Sequence, residues 1–272
     1  MKFAKLIILG ALTLGFALPC YAEKIVMEGS TTVLPIAQRA AEVYMDKNPG
    51  ANISVRGGGS GVGIASLLDK ACDIANSSRP IKDTELDKAV TNGVDATANI
   101  IAMDGLAVIV NSANSLEKLS KKQIKDIFTG VISNWLQLGG NDEKIVVVSR
   151  DTSSGTFEAF ATLVLGGQKV RPDALMQASN QAVVTTIGQT KGAIGYVGLG
   201  FISDAVKALK VEGVMPSKET VLSGTYPITR PLFMYTNGKP KGLVKEVIDF
   251  ILSDEGQKLV EEVGFVGLKE KK

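Results

Sequence analysis

The run Arg150-Asp151-Thr152-Ser153-Ser154-Gly155-Thr156 joins a guanidinium to hydroxyls and a glycine. It stands between the apolar stretch Ile145 to Val148 and a helical pattern carried by Phe157, Phe160, Ala161 and Val164. A strand feeding a helix through such a turn points amides without intrahelical partners, and the positive end of the helix dipole, at whatever sits there. Ser154, Gly155 and Thr156 can donate to an oxyanion. Arg150 supplies formal charge in a planar fork suited to phosphate or carboxylate, and Asp151 is placed to orient it. The plain alternative is an N-capped helix after a strand.

Three further stretches repeat this chemistry: Glu28-Gly29-Ser30-Thr31-Thr32, Arg56-Gly57-Gly58-Gly59-Ser60-Gly61-Val62-Gly63 and Asn76-Ser77-Ser78-Arg79-Pro80. Each follows a short β-branched or apolar run and precedes a helical pattern. The glycines let backbone approach a ligand closely. Their spacing is neither G-x-G-x-x-G, because Ile64 stands where the last glycine belongs, nor a P-loop, because no Gly-Lys-Ser/Thr follows. A nucleotide is therefore not expected.

The elements that must position these turns alternate. Strands are expected at Lys24 to Met27, Asn52 to Val55, Asp73 to Asn76, Val146 to Val148 and Gly192 to Val197. Helices are expected from Leu34 to Asp46, after Gly63, near Asp83 to Thr91, from a Ser120–Gln123 capping box to Phe128, from Ser179 to Thr190, and as one amphipathic helix from Lys241 to Gly264. Ile100 to Asn111, broken by Asp104-Gly105, and Tyr226 to Tyr235 are too long for average strands and read as two crossings between lobes. Trp135 reads as core within a Gly130 to Gly140 loop. The pattern predicts an α/β protein of two lobes, each a mainly parallel sheet flanked by helices, with ligands beyond the carboxyl ends of the strands.

Composition removes several classes of function. The chain has 272 residues and no histidine, which excludes histidine triads, the commonest general base and most zinc sites. Lys2 and Lys5, the apolar run Leu6 to Leu18 and the small-residue ending at Ala22 predict a signal peptide over residues 1–22 and export to the periplasm; Ala17-Leu18-Pro19 is a poor lipobox for an anchor on Cys20. Removing that segment takes the net charge from +2 to 0, because it holds two lysines and no acid, so a nucleic-acid footprint is lacking. Cys72 is then alone. Ser115-Leu116-Glu117-Lys118 matches S-x-x-K without its partner motifs and reads as a loop. No metal-ligand cluster is visible, and neither a cofactor nor a catalytic residue is assigned.

Taken in order and spacing, Gly29-Ser30-Thr31-Thr32, Gly-Gly-Gly-Ser60-Gly, Ser77-Ser78-Arg79-Pro80 and Arg150-Asp151-x-x-Ser154-Gly155-Thr156 resemble the phosphate-binding proteins of high-affinity phosphate ABC transporters. The Gln123 to Trp135 segment, Gly-Ala-Ile-Gly-Tyr196 and Asp254-Glu255-Gly256-Gln257 support the likeness over essentially the whole mature chain. The resemblance implies a type II periplasmic binding protein fold, with lobe one at 23–106 and 231–272 and lobe two at 107–230, joined by two hinge crossings. It implies capture of inorganic phosphate for a membrane permease, by a monomer that is not an enzyme. Its ligands would be Thr31, Thr32, Ser60, Ser78, Arg150, Ser154, Gly155 and Thr156, supported by Ser30, Asp151 and Arg79. Alternatives are another oxyanion (sulfate, arsenate or molybdate) or a secreted phosphoester hydrolase. One departure matters: Ser78 stands where the family's type case has an aspartate that accepts the proton of hydrogen phosphate, so a hydroxyl must do that work here. Arg79 is either a second cation on the ligand or the partner of a carboxylate on the surface or between lobes.

Overall fold

A computed structural model describes residues 24–268; the expected signal peptide lies outside them. In chain order the elements are β1 Lys24–Gly29, α1 Leu34–Lys47, β2 Asn52–Arg56, α2 Ser60–Leu68, β3 Ile74–Ser77, α3 Asp83–Thr91, β4 Ala96–Asn111, β5 Lys118–Leu119, α4 Lys121–Thr129 and β6 Val146–Arg150. Then come α5 Gly155–Phe160, β7 Leu175–Gln177, α6 Asn180–Gln189, β8 Ala193–Gly198, β9 Val206–Ala208, β10 Lys210–Val211, α7 Lys218–Leu222, β11 Thr229–Asn237, α8 Gly242–Leu252 and α9 Asp254–Glu262.

The strand order is β2-β1-β3-β11-β4-β8-β6-β7, with β9 also on β4. On one side β2, β1 and β3 are parallel, and on the other β8, β6 and β7 are parallel. Between them β4 and β11 run antiparallel to their neighbours, so the fold is a mixed α/β sheet of two lobes. β4 makes the transition. Its Ala96 to Gly105 half pairs with β11, and its Leu106 to Val110 half pairs with β8.

Burial follows the same division. Ile101 and Ala102 of β4, with Leu232 and Met234 of β11, pack in a core shared with α1, α8, Ile25 and Met27. Leu106, Val108 and Val110, with Tyr226 and Ile228, pack in a second core around Phe128, Trp135, Phe160 and Tyr196. Two long apolar runs each serve two cores, which is why both outlast an ordinary strand. Trp135 is core as expected, its Nε1 donating to the Gly192 carbonyl at 2.9 Å.

Three expectations about elements are corrected. β4 starts at Ala96 and runs unbroken through Asp104-Gly105; Asp104 stays in the strand because its carboxylate is fully partnered, and a side chain at Gly105 would meet Val221 at 2.8 Å. A bulge opposite Leu232/Phe233 makes the consecutive Ile101 and Ala102 both buried and leaves Ile100 exposed. Helix α2 begins at Ser60, ahead of the expected start after Gly63. The C-terminal amphipathic stretch is two helices, because Ser253 is extended (ψ 164°) and its Oγ caps the Gly256 amide at 3.2 Å.

Candidate functional site

The strand-to-helix turns converge where the two lobes meet. At the first, Gly29 has φ +133° and a Cβ there would lie 2.3 Å from the Asn76 carbonyl, so only glycine turns the chain. Ser30 is spent locally, its Oγ accepting from the amides of Thr32 (3.1 Å) and Val33 (3.4 Å). That leaves Thr31 and Thr32 at the head of α1. At the second turn, Gly58 and Gly59 have positive φ, and a Cβ on Gly59 would meet Ser153 Oγ at 2.7 Å. These glycines allow close approach, though the neighbour is the Ser153 backbone of the opposite lobe. The Gly61 amide donates to the Ser153 carbonyl at 2.9 Å.

Ser60, at the start of α2, accepts from the Ser78 amide at 3.0 Å and shares a hydroxyl contact with Ser78 Oγ at 3.3 Å. Gly155 stacks on that pair: a Cβ there would lie 2.3 Å from Ser60 Oγ and 2.7 Å from Ser78 Oγ. Ser154 caps α5 by accepting from the Phe157 amide at 3.3 Å. Thr156 Oγ1 touches Thr32 Oγ1 at 2.9 Å, and Arg150 Nη2 donates to Thr31 Oγ1 at 3.2 Å. All of the candidate ligands therefore lie in one cluster spanning both lobes, and apart from half-buried Thr31 they are buried.

Arg150 brings a guanidinium into the cluster. Nε donates to the Gln177 carbonyl (2.9 Å) and Nη2 to the Ala178 carbonyl (3.0 Å), while Nη1 is buried without a partner. Burial pushes the guanidinium down to about 10, opposed by the charge of Asp151. Asp151 acts through that charge alone, which corrects the expected direct contact: its Oδ1 accepts from the Ser153 amide (2.9 Å) and hydroxyl (2.5 Å). Successive side chains at the end of a strand face opposite sides, so the carboxylate leaves Arg150 and closes the turn. The floor beneath is Tyr196, whose hydroxyl contacts Ser149 Oγ at 2.9 Å and whose ring stacks on Phe160 at 3.9 Å.

Arg79 braces the lobes. Nη1 and Nη2 take Glu85 in a fork at 2.7 Å each, and Nε pairs at 2.7 Å with Glu158 of α5 in the other lobe. Lys82 takes the second Glu158 oxygen at 2.7 Å. Burial works against the Glu85 charge, yet the Arg79 fork and the Lys82 amide outweigh it and hold this carboxyl below its ordinary value. A depressed carboxyl contributes stability above its unfolded pKa, so the Arg79–Glu85 fork is intact at neutral pH and weakens only as pH falls below the usual carboxylate range.

Three participants escaped the sequence reading. Arg230 of β11 donates through Nε (3.0 Å) and Nη2 (2.8 Å) to Asp104 Oδ2, and Nη2 also reaches Thr32 Oγ1 (3.3 Å) and Thr156 Oγ1 (3.1 Å). Asp104 Oδ1 accepts from the Leu199 amide at 2.9 Å. Burial pushes the Asp104 carboxyl up and the Arg230 guanidinium down, each opposed by the other's charge. Asn180, first residue of α6, accepts from the Gly198 amide at 3.3 Å and donates to Thr31 Oγ1 (3.3 Å) and Thr32 Oγ1 (3.0 Å). One signal was available: Asp104 and Arg230 are opposite charges, each within one of the two crossing runs.

Chemically, the cluster presents hydroxyls, a backbone glycine and one guanidinium with an unspent nitrogen; its single carboxylate is tied to Arg230. Among the described residues no group of three or more acidic or cysteine side chains could hold a metal ion. Such a set has the chemistry to hold an oxyanion. It has no base beside a nucleophile.

Comparison with known proteins agrees in kind. Residues 17–255 match the family model described as PBP superfamily domain. A phosphate-binding protein PstS from Bacillus subtilis (strain 168) is 36% identical over 251 residues, covering 90% of this chain and 81% of the relative. One from Borreliella burgdorferi is 34% identical over 260 residues, covering 91% of each. Among solved structures, a candidate phosphate ABC transporter substrate-binding protein from Clostridium perfringens, with bound phosphate, superposes with a TM-score of 0.85 at 33% identity, covering 91% of this chain and 100% of that one. An ABC-type phosphate transport receptor from Vibrio cholerae gives 0.74 at 34% identity, covering 90% and 100%.

Proposed function

The chain belongs to the PBP superfamily, and from that premise we propose that it is an extracytoplasmic solute-binding protein that captures inorganic phosphate between its lobes for an ABC transporter permease. The observation that carries the reading is the buried Arg150 Nη1, left without a partner amid hydroxyls contributed by both lobes. A desolvated cation of this kind is stabilised by an anion that takes several donors at once. The ligands are Thr31, Thr32, Ser60, Ser78, Arg150, Ser154, Gly155 and Thr156. Lobe one comprises 23–106 and 231–272 and lobe two 107–230, the crossings near Leu106 and Arg230 acting as the hinge. The protein works as a periplasmic monomer, without catalysis, after loss of residues 1–22. Calorimetric titration of the mature protein tests this: one phosphate bound per chain is expected, and absence of phosphate heat refutes it.

Two results should follow from the site's construction. Ser78→Asp places a carboxylate where a proton on phosphate can be accepted and a fully ionised sulfate is repelled. The phosphate-to-sulfate affinity ratio is expected to rise by about tenfold or more, since a hydrogen bond to a charged group contributes about 1.5–3 kcal/mol. An unchanged ratio in paired titrations contradicts this role for residue 78. Glu158→Gln breaks the brace to Arg79 and Lys82 across the lobes. Phosphate release is expected to quicken by about three- to tenfold, as for a partly buried pair worth about 1 kcal/mol, with little change in association. Stopped-flow displacement measures it.

A further inference from the structure

Not every hydroxyl of the site is free to choose its direction. A threonine oxygen has two lone pairs and one proton, so two accepted bonds force it to donate. Thr31 Oγ1 accepts from Arg150 Nη2 and Asn180 Nδ2. Thr32 Oγ1 accepts from Asn180 Nδ2 and lies 2.9 Å from Thr156 Oγ1, with the two hydrogens of Arg230 Nη2 shared among Asp104, Thr32 and Thr156. Thr31 is the threonine whose lone pairs are both taken.

One anchor outside the cluster sets this polarity and a second holds Arg230 in place. The Gly198 amide donates to Asn180 Oδ1, which fixes which end of the amide faces the threonines. Asp104 takes two donations from Arg230, and its other oxygen is held by the Leu199 amide, so the guanidinium cannot turn away. The Ser60–Ser78 pair is different. Ser60 Oγ accepts one bond, from the Ser78 amide, and the two hydroxyls can exchange roles. When Ser78 donates to Ser60, both Ser78 lone pairs are open.

The geometry points to Asn180 as the positioning residue that makes Thr31 an obligate donor, leaving Ser78 as a side-chain hydroxyl that can accept a proton from the bound anion. This rests on the phosphate reading above and deepens it. The site selects a tetrahedral dianion through its donors, and it separates hydrogen phosphate from sulfate through Ser78.

The test is calorimetric titration of the mature protein, Asn180→Ala and Ser78→Ala with inorganic phosphate and with sulfate at pH 8, where both anions are predominantly dianions. In Asn180→Ala, Thr31 and Thr32 each regain a lone pair, and a proton-bearing anion gains relative to sulfate. The phosphate-to-sulfate affinity ratio is expected to rise by about three- to tenfold, one hydrogen bond's worth, even as both affinities fall. In Ser78→Ala the ratio should fall by a similar factor. Asn180→Asp keeps the acceptor toward Gly198 and the shape while reversing the hydroxyls. Its added charge weakens both dianions alike, so there too the ratio should rise; this variant serves if the alanine form does not fold. Equal weakening of both anions in the Asn180 variants overturns the inference and makes Asn180 merely structural. Absence of phosphate heat in the unmodified protein overturns the phosphate reading itself.

Discussion

Arg150→Ala should weaken phosphate binding by roughly 30- to 5,000-fold, because truncating one partner of a buried, hydrogen-bonded charge pair costs about 2–5 kcal/mol. The arginine is held by two carbonyls and a threonine, with Nη1 unspent, so its positive charge has no carboxylate bonded to it. Burial has already lowered this guanidinium to about 10. A base whose folded pKa is depressed costs the ligand-free fold stability wherever it is protonated, and that cost eases only as pH rises through the depressed value. Removing it should therefore leave the melting temperature of the ligand-free protein unchanged or higher. The parent, by contrast, should gain melting temperature with saturating phosphate through mass action, and the variant should not. Arg150→Lys keeps the charge without the planar fork and should fall between the two. Calorimetry and melting curves with and without phosphate read these outcomes. An Arg150→Ala protein that binds phosphate within about threefold of the parent, far short of the cost of a buried pair, removes Arg150 from the site.

The turns were legible because their chemistry is local. Gly29, Gly58 and Gly59 sit at positive φ or against a carbonyl, Ser154 caps a helix, and Ser30 closes its own turn. Each of these is decided within a few residues and leaves a mark in sequence. The two long crossings were legible for a related reason: a strand that serves two cores must stay apolar for twice the usual length, as β4 does. What stayed hidden depends on long-range geometry. Asp104 looked like a break in its run, because an isolated acid in an apolar stretch ordinarily ends a strand; only the fold brings Arg230, distant in sequence, to its side. Asn180 reads as an ordinary first residue of a helix until its amide meets two threonines near the start of the chain. Asp151 was misplaced for the opposite reason. Adjacency in sequence suggested contact with Arg150, whereas strand geometry turns adjacent side chains apart.

The Asp104–Arg230 pair lies where β4 and β11 pass from one core to the other, so its loss should be felt in the fold before it is felt in binding. Asp104→Ala is expected to lower unfolding free energy by about 3–5 kcal/mol, the usual cost of leaving one member of a buried ion pair uncompensated. Arg230 would keep its charge while fully enclosed and beside Arg150, whose own guanidinium it already disfavours. The Leu199 amide would lose its acceptor as well. Urea unfolding of the ligand-free protein measures the loss. The double variant Asp104→Leu with Arg230→Met distinguishes an uncompensated charge from a lost shape. Well-packed apolar pairs often match or exceed the buried ions they replace, so the double variant should recover most of what Asp104→Ala loses. Phosphate affinity should not recover with it, because methionine cannot donate to Thr32 and Thr156. A double variant as unstable as Asp104→Ala alone places the cost in packing at the crossing. One that regains stability while still binding phosphate weakly separates the two duties of the pair: neutralising charge where the strands cross, and aiming the hydroxyls that meet the anion.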